Sequence, residues 1–211
     1  MNLVSPYRNL NQTTRISIEP YHMNSDIILN LKLKIKEKIE KKCNVNGYIV
    51  EVYRILEYSD GIMPPENLNG CAIYNITYHC KICIPIENTL IIGQVKVINQ
   101  ELIIANNGPI WIFIPKENID SNYWEIIDGY KNKNNNNKLV TEDYVKIQIT
   151  HKRNNKNDNQ INTIGKLVDY ATEDEIKNFF GSKINKQNDP EQSIQDVDTI
   201  ENNDTESNFI I

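Results

Sequence analysis

Residues 70–86, GCAIYNITYHCKICIPI, form a long run in which two kinds of side chain alternate. The polar positions are Asn75, Thr77, His79 and Lys81. The intervening positions are Ala72, Tyr74, Ile76, Tyr78, Cys80, Ile82, Ile84 and Ile86. This period of two predicts a β-strand that buries one of its faces. A second β-rich unit begins soon afterwards, at Ile92 and Gly93.

The same run contains Cys80 and Cys83, whose spacing is typical of zinc ligands, and Cys43 and Cys71 could complete a set of four. Residues three apart in a continuous strand point to opposite faces, so these two thiols should not converge on one ion. We therefore expect free thiols, no metal and no cofactor.

The residues before this strand predict a small sheet with one helix. Residues 15–19 alternate as a strand, and Pro20 ends it. A helix capped by Asn24 or Ser25 should follow, with its apolar positions at Ile28, Leu31, Ile35 and Ile39. Residues 48–56 predict another strand, and residues 61–70 form the loop that leads to the opening run.

The residues after it predict a small barrel. Five strand-like segments occur at 90–99, 102–105, 110–114, 144–150 and 161–170, with a short helical link at 116–119. Five short strands of this kind are typical of an OB-fold barrel. Two polar insertions, at 128–138 and 152–160, should be a loop and a hairpin. A final helix over 173–180 begins with a capping box formed by Thr172 and Glu175.

The fold class is therefore α+β: a truncated ferredoxin-like antiparallel sheet with one helix, a five-stranded OB-fold β-barrel, and a tail. We expect the boundaries to be 1–86, 87–182 and 183–211. The formal charge of -5 is uneven, because residues 32–42 are rich in lysine and residues 189–211 are acidic. Such a tail is typical of disorder, and any contact with nucleic acid should be local.

Composition also limits the cell compartment. No stretch approaches the ~20 apolar residues of a membrane span, and the first residues lack the apolar core of a signal peptide. The four cysteines are few for 211 residues and suit a reducing compartment. We expect a soluble, intracellular protein without membrane contact. The abundance of Asn, Ile and Lys indicates an AT-rich genome, as in large DNA viruses and some protists.

The sequence contains no recognisable catalytic motif. There is no phosphate-binding loop, no Gly-rich dinucleotide turn and no pair of carboxylates typical of a polymerase active site. The three histidines, His22, His79 and His151, have no nucleophile close by in the sequence. We therefore expect a non-catalytic protein.

Several short segments, in the same order and spacing, resemble the seventh subunit of eukaryotic RNA polymerase II and its archaeal and giant-virus relatives. The resemblance covers about residues 13–180. The segments are EKKC at 40–43, NGYIV at 46–50, Gly61–Ile62, Gly70, the strand at 74–85, GQV at 93–95, GPIWIFI at 108–114 and IGKL at 164–167.

The resemblance implies a stalk subunit whose N-terminal unit docks on the polymerase core and whose OB domain is held near nascent RNA. In that family the docking tip is the loop between the last two strands, here Gly61, Ile62, Met63, Pro64 and Pro65. An exposed apolar pair on a stiff loop loses little entropy when it enters a pocket. The alternative is that Ile62 and Met63 fold back on their own sheet.

The resemblance also implies contacts with RNA, but one feature of the family is absent. Related OB domains carry aromatic residues on the second barrel strand, and residues 99–104 here have none. Trp111 and Phe113 share one face of the next strand and could stack on bases. Core packing explains the two rings equally well. The candidate phosphate contacts are Lys96, Lys116, His151, Lys152 and Arg153.

We therefore expect a non-catalytic stalk subunit of a DNA-directed RNA polymerase. Its partners would be the large core subunits, a helical stalk subunit and nascent single-stranded RNA. It would act in the virion and host cytoplasm if it is viral, and in the nucleus if it is cellular. The alternative is a free-standing OB-fold RNA-binding factor of translation or RNA decay, which would not need the docking tip.

Overall fold

A computed structural model describes residues 3–126, 129–133 and 136–181. The predicted disordered acidic tail lies outside these residues. The described part contains a three-stranded sheet, a closed five-stranded barrel and a small two-stranded sheet, together with two α-helices and two short 3-10 turns at Pro20–His22 and Lys116–Asn118. The predicted α+β class is confirmed.

The three-stranded sheet is antiparallel and consists of β1 (Tyr7–Ile18), β2 (Tyr48–Tyr58) and β3 (Ala72–Cys83), in the order β1-β3-β2. Helix α1 (Ile27–Ile39) connects β1 to β2 and packs on one face of the sheet. The shared core is Ile16, Ile18, Leu31, Ile35, Ile49, Val52, Ile76, Tyr78 and Cys80.

Two details of this sheet differ from the prediction. Strand β1 begins at Tyr7, not at residue 15, and pairs with β3 along all of its 12 residues. Its first half is polar and exposed, so no hydrophobic alternation marks it. The N-cap of α1 is Asp26, while the Asn24 side chain accepts a hydrogen bond from the Asp26 N–H at 3.0 Å. Ile28, predicted to lie on the apolar face of the helix, is exposed.

Strand β3 connects two different cores. Ile76, Tyr78, Cys80 and Ile82 are buried in alternation, which confirms the predicted face. The strand ends at Cys83 rather than at residue 86, and Cys83 packs in the core of the barrel. Because Cys80 belongs to the core beneath α1, the two thiols face opposite sides of the sheet, as predicted.

The barrel consists of β4 (Leu90–Ile98), β5 (Leu102–Asn107), β6 (Ile110–Pro115), β9 (Tyr144–Arg153) and β10 (Ile161–Tyr170). Its strand order is β10-β6-β5-β4-β9, with β9 pairing again with β10 to close the barrel. All pairs are antiparallel except β6 with β10. This confirms the predicted five-stranded barrel.

The segment predicted as a loop at 128–138 contains a strand. Strands β7 (Trp124–Ile126) and β8 (Tyr130–Asn132) form a hairpin against the barrel. Trp124 and Tyr130 are almost fully buried, and the Tyr130 hydroxyl donates to the Asn99 and Gln100 carbonyls at 2.9 Å. These two buried aromatic rings hold the hairpin strands β7 and β8 against the barrel.

The predicted hairpin at 152–160 is shorter than expected and packs against a neighbouring segment. Strand β9 continues to Arg153, so Lys152 and Arg153 lie in the strand. The remaining turn, residues 154–160, packs on the segment between α1 and β2. The Cys43 N–H donates to the Asp158 carbonyl at 2.7 Å, and the Asn154 side-chain amide donates to the Asn44 carbonyl at 3.1 Å.

Helix α2 (Glu173–Gly181) begins with the predicted capping box. The Glu175 N–H donates to the Thr172 hydroxyl at 3.3 Å, and the Thr172 N–H donates to the Glu175 carboxylate at 2.9 Å. Phe179 from this helix packs into the barrel core. Among the described residues, no helix is long and apolar enough to cross a membrane.

Candidate docking loop and nucleic-acid interface

The loop between β2 and β3 is held in one shape by its own backbone. Ile62 and Ile73 exchange two backbone hydrogen bonds of 3.0 and 2.8 Å, which extend the sheet into the loop. The Asn67 N–H donates to the Pro64 carbonyl at 3.0 Å, and the Gly70 N–H donates to the Asn67 carbonyl at 3.1 Å. These bonds define the backbone path of the loop.

The apolar side chains of this loop point into solvent. Ile62 is 62% exposed and Met63 is 63% exposed, although the Ile62 backbone is paired with the sheet. The alternative in which the two side chains fold back on their own sheet is therefore wrong. Leu68, which the sequence analysis did not single out, is 97% exposed on the same loop.

Gly61 lies close to the ring of Tyr74. A Cβ atom at this position would lie 2.6 Å from the Tyr74 ring, closer than a carbon contact allows. A larger residue at this position would require the Tyr74 side chain to shift. Pro64 and Pro65 follow at once and fix two further backbone angles. The five residues 61–65 thus form a segment in which two exposed apolar side chains lie between a glycine and two prolines.

The rings of Trp111 and Phe113 lie on the outside of the barrel. Strand β6 alternates between buried Ile110, Ile112 and Ile114 and the partly exposed aromatic residues between them. The isoleucines fill the barrel interior, so the core-packing explanation of the two rings is wrong. An outward aromatic ring can present its face to a nucleic-acid base.

Two rows of side chains cross four strands on this outer surface. The first row is Asn106, Trp111, Asn162 and Arg153, and the second row is Ile104, Phe113, Ile164 and His151. In each row the residues belong to β5, β6, β10 and β9, in that order. Residues directly opposite one another in a sheet project on the same face. We call this surface, defined by these eight residues, the outer face.

The predicted cations divide between this surface and others. His151 and Arg153 are exposed and stand at the β9 end of the two rows. Lys152 lies between them in the strand and points the other way, where its Nζ donates to the Pro85 carbonyl at 3.2 Å. This side chain therefore contacts the segment that joins sheet and barrel, on the side away from the outer face, while Arg153 stands in a row.

The other two predicted lysines lie at the margin of the outer face. Lys96 is exposed in a bulge of β4, where its Nζ donates to the Gln94 side chain at 2.8 Å. Lys116 follows β6 and lies 4.0 Å from the Glu101 carboxylate. Both are accessible, but neither belongs to a row.

Sequence reasoning missed four residues of the outer face: Ile104, Asn106, Asn162 and Ile164. The alternation in β5, β6 and β10 does show that they point outward. Which of them stand beside Trp111 depends on strand register, and the parallel pairing of β6 with β10 joins segments about fifty residues apart. No local signal in the sequence fixes such a register.

Within the part of the chain that the structure describes, no metal-binding cluster or activated thiol is found. The described residues contain no group of three or more His, Cys, Asp or Glu that could hold a metal ion. Burial raises the pKa of the Cys80 thiol to about 11, and burial together with Asp158 raises that of Cys43 to about 11. Both thiols are therefore neutral near pH 7, the opposite of an activated nucleophile.

The fold and its surfaces define a class: an α+β protein in which a small sheet carries a rigid apolar loop and an OB-type barrel carries an aromatic outer face. A protein of Acanthamoeba polyphaga mimivirus that bears the name of a DNA-directed RNA polymerase subunit is 40% identical over 166 residues. The match covers 77% of this chain and 80% of the relative. The chain belongs to this family of DNA-directed RNA polymerase subunits. It matches no family profile.

Proposed function

We propose that this subunit is the non-catalytic stalk subunit of its polymerase. Its sheet, residues 1–86, would dock on the core through Gly61, Ile62, Met63, Pro64 and Pro65. Its barrel, residues 87–182, would present the outer face to nascent RNA during initiation and elongation. The giant-virus source of the relative favours a viral polymerase that acts in the virion and the host cytoplasm.

The observation that carries the docking role is the exposure of Ile62 and Met63 on a loop fixed by backbone hydrogen bonds. Apolar side chains that are exposed together on a surface often mark a site where another protein binds. Because the loop is already ordered, binding costs little conformational entropy. The contact made by this loop would be small, so the subunit would need other surfaces to stay bound. The resemblance implies a helical stalk subunit as a further partner.

The outer face supports the RNA role. Stacking on an aromatic ring contributes roughly 1–3 kcal/mol per base, and Trp111 and Phe113 offer two such rings. Arg153 is exposed and has no ion-pair partner among the described residues, so it is available to a phosphate. Lys96, Lys116 and His151 would add weaker, longer-range attraction. We leave Lys152 out of this proposal because its side chain points away from the outer face, toward the Pro85 carbonyl.

The docking role is tested by purifying the tagged full-length chain from its native source and measuring co-purified large subunits. The test variant is Ile62→Asp with Met63→Asp. The control is Val45→Asp, which places a charge on a residue that is 88% exposed at the opposite end of β2. We expect the test variant to lose at least tenfold of the bound large subunits and the control to retain them.

Two results would contradict the docking role. If the double variant recovers as much polymerase as the wild type, the loop does not dock. If no large subunit co-purifies with the wild type, while RNA-decay or translation factors do, the free-standing RNA-binding alternative is correct.

A further inference from the structure

The outer face contains two rows of different chemistry, and this difference carries a prediction about RNA recognition. We propose that the face binds two consecutive, unstacked nucleotides and identifies only one of them. The base on Trp111 is read by the amides of Asn106 and Asn162, while the base on Phe113 is held without being read. The proposal rests on the RNA-presenting role and deepens it.

The distance between the two rings requires the two bound bases to be unstacked from each other. Trp111 and Phe113 are two residues apart on one strand, which separates them by about 6.6 Å. Bases in a stacked strand rise by about 3.4 Å per nucleotide. Two neighbouring bases can each cover a ring only if the strand is stretched and their mutual stacking is lost. A duplex cannot do this, so the face selects single strands.

The row of Trp111 can read a base because polar amides stand on both sides of the ring. Asn106 on β5 makes no side-chain hydrogen bond to any described residue, so its donor and its acceptor are both available. Asn162 on β10 accepts a hydrogen bond from the Gln160 side chain at 3.0 Å. That bond orients the Asn162 amide and leaves its N–H groups for a ligand. Paired donors and acceptors are what discriminates base edges.

The row of Phe113 has no such groups. Ile104 and Ile164 flank this ring, and Ile164 is 41% exposed. Apolar side chains add contact area to any base and satisfy none of its edge atoms. This position therefore contributes affinity without discrimination, as stacking on an aromatic ring ordinarily does.

Both rows end at β9 with a side chain that can donate to a phosphate. Arg153 ends the row of Trp111, and His151 ends the row of Phe113. The bases would lie over β5, β6 and β10, with the sugar-phosphate backbone along β9. The guanidinium of Arg153 can form two parallel hydrogen bonds to one phosphate.

The test uses the full-length chain and a set of sixteen ten-nucleotide RNAs. Each carries one of the sixteen dinucleotides at its centre and stable abasic sites elsewhere, so that only two bases can reach the rings. We expect the affinities, measured by fluorescence anisotropy at low salt, to vary at least fivefold with the base at one of the two positions. They should vary less than twofold at the other.

Three variants identify the residues responsible. Asn106→Ala should remove the base preference while lowering the mean affinity less than threefold. Asn106→Asp keeps the acceptors and loses the donors, so it should shift the preference toward bases that present an amino group. Ile104→Ala is the matched control in the other row and should keep the preference. Circular dichroism and the melting temperature establish that each variant is folded.

The outcomes separate this inference from the function on which it rests. A wild-type chain that binds these RNAs with no base preference, or a preference that survives in Asn106→Ala, overturns the inference alone. A wild-type chain that binds none of them, and no natural single-stranded RNA either, overturns the RNA-presenting role.

Discussion

At the scale of single residues, neighbours in the sequence serve different surfaces. Lys152 and Arg153 are consecutive cations, yet one holds the segment that joins sheet and barrel and the other stands on the outer face. Cys80 and Cys83 are three residues apart, yet they belong to different cores. Substitutions of two residues of the same type are therefore expected to affect different properties of the protein.

Separate charge reversals should distinguish Lys152 from Arg153. Arg153→Glu removes a phosphate donor, so we expect the affinity for single-stranded RNA to fall roughly tenfold at low salt, and the salt slope to fall by about 0.7. Lys152→Glu should change the affinity by less than about twofold and instead lower the melting temperature, because the bond to Pro85 is lost. Binding titrations at several salt concentrations measure the affinity and its salt slope. Equal losses of affinity would contradict the assignment.

Thiol labelling should single out one cysteine. Cys43, Cys80 and Cys83 are buried, and Cys71 is partly exposed in the loop before β3. Because a neutral, buried thiol reacts slowly, we expect about one equivalent of a thiol reagent to react quickly at pH 8 in the native protein. Cys71→Ser should abolish this reaction. Rapid labelling of Cys80 or Cys83 would show that the cores are open.

At the scale of secondary-structure elements, alternation predicted those strands that have one buried and one exposed face. It predicted β3 and β6 closely, because β-branched and aromatic residues there follow the period of two. It missed the first half of β1, where polar, mostly exposed residues pair with β3 and no apolar alternation marks the strand. It also missed β8, whose position depends on two buried aromatic rings that contact distant residues.

Helix α2 provides a pH-dependent prediction at this scale. The hydrogen bond from the Thr172 N–H, with help from Lys146 at 3.2 Å, lowers the pKa of Glu175. A carboxyl group whose folded-state pKa is lowered stabilises the fold above its unfolded value of about 4.3, and this stabilisation is lost as the pH falls. Screening limits the contribution of such a partly exposed group to about 0.5 kcal/mol.

Glu175→Gln should therefore lower the melting temperature by about 1–2 °C at pH 7. The difference from the wild type should shrink as the pH falls through the lowered pKa of the Glu175 carboxyl group. Thermal unfolding from pH 7 down into the acid range measures the difference in melting temperature. Glu173→Gln is the control, since the Glu173 carboxylate is 91% exposed and should contribute less. A difference that persists at low pH would show that charge is not its cause.

At the scale of the whole molecule, the sheet and the barrel are joined by several independent contacts. The Val4 N–H donates to the Leu90 carbonyl at 3.0 Å, and the Cys43 N–H donates to the Asp158 carbonyl at 2.7 Å. Cys43 and Cys83, from the sheet region, pack in the barrel core. The docking loop and the outer face are thereby carried on one connected body.

This connection predicts a single unfolding transition in urea. Trp124 fluorescence follows the barrel, and labelling of Cys80, mapped by mass spectrometry after short pulses, follows the sheet. We expect the two midpoints to coincide, as in a two-state transition. Two midpoints separated by more than about 0.5 M would show that sheet and barrel unfold separately, since such a gap corresponds to roughly 1 kcal/mol.

The central claim is that the Gly61 to Pro65 loop touches the polymerase core. It is tested most directly by a photoreactive phenylalanine analogue placed at position 63 and, in a matched chain, at position 45. These positions flank β2, whose 11 residues span about 33 Å. We expect irradiation of the purified polymerase to join position 63 to a large subunit, at a yield well above that from position 45. Equal yields from the two positions, or no adduct from position 63 in an intact polymerase, would contradict the claim.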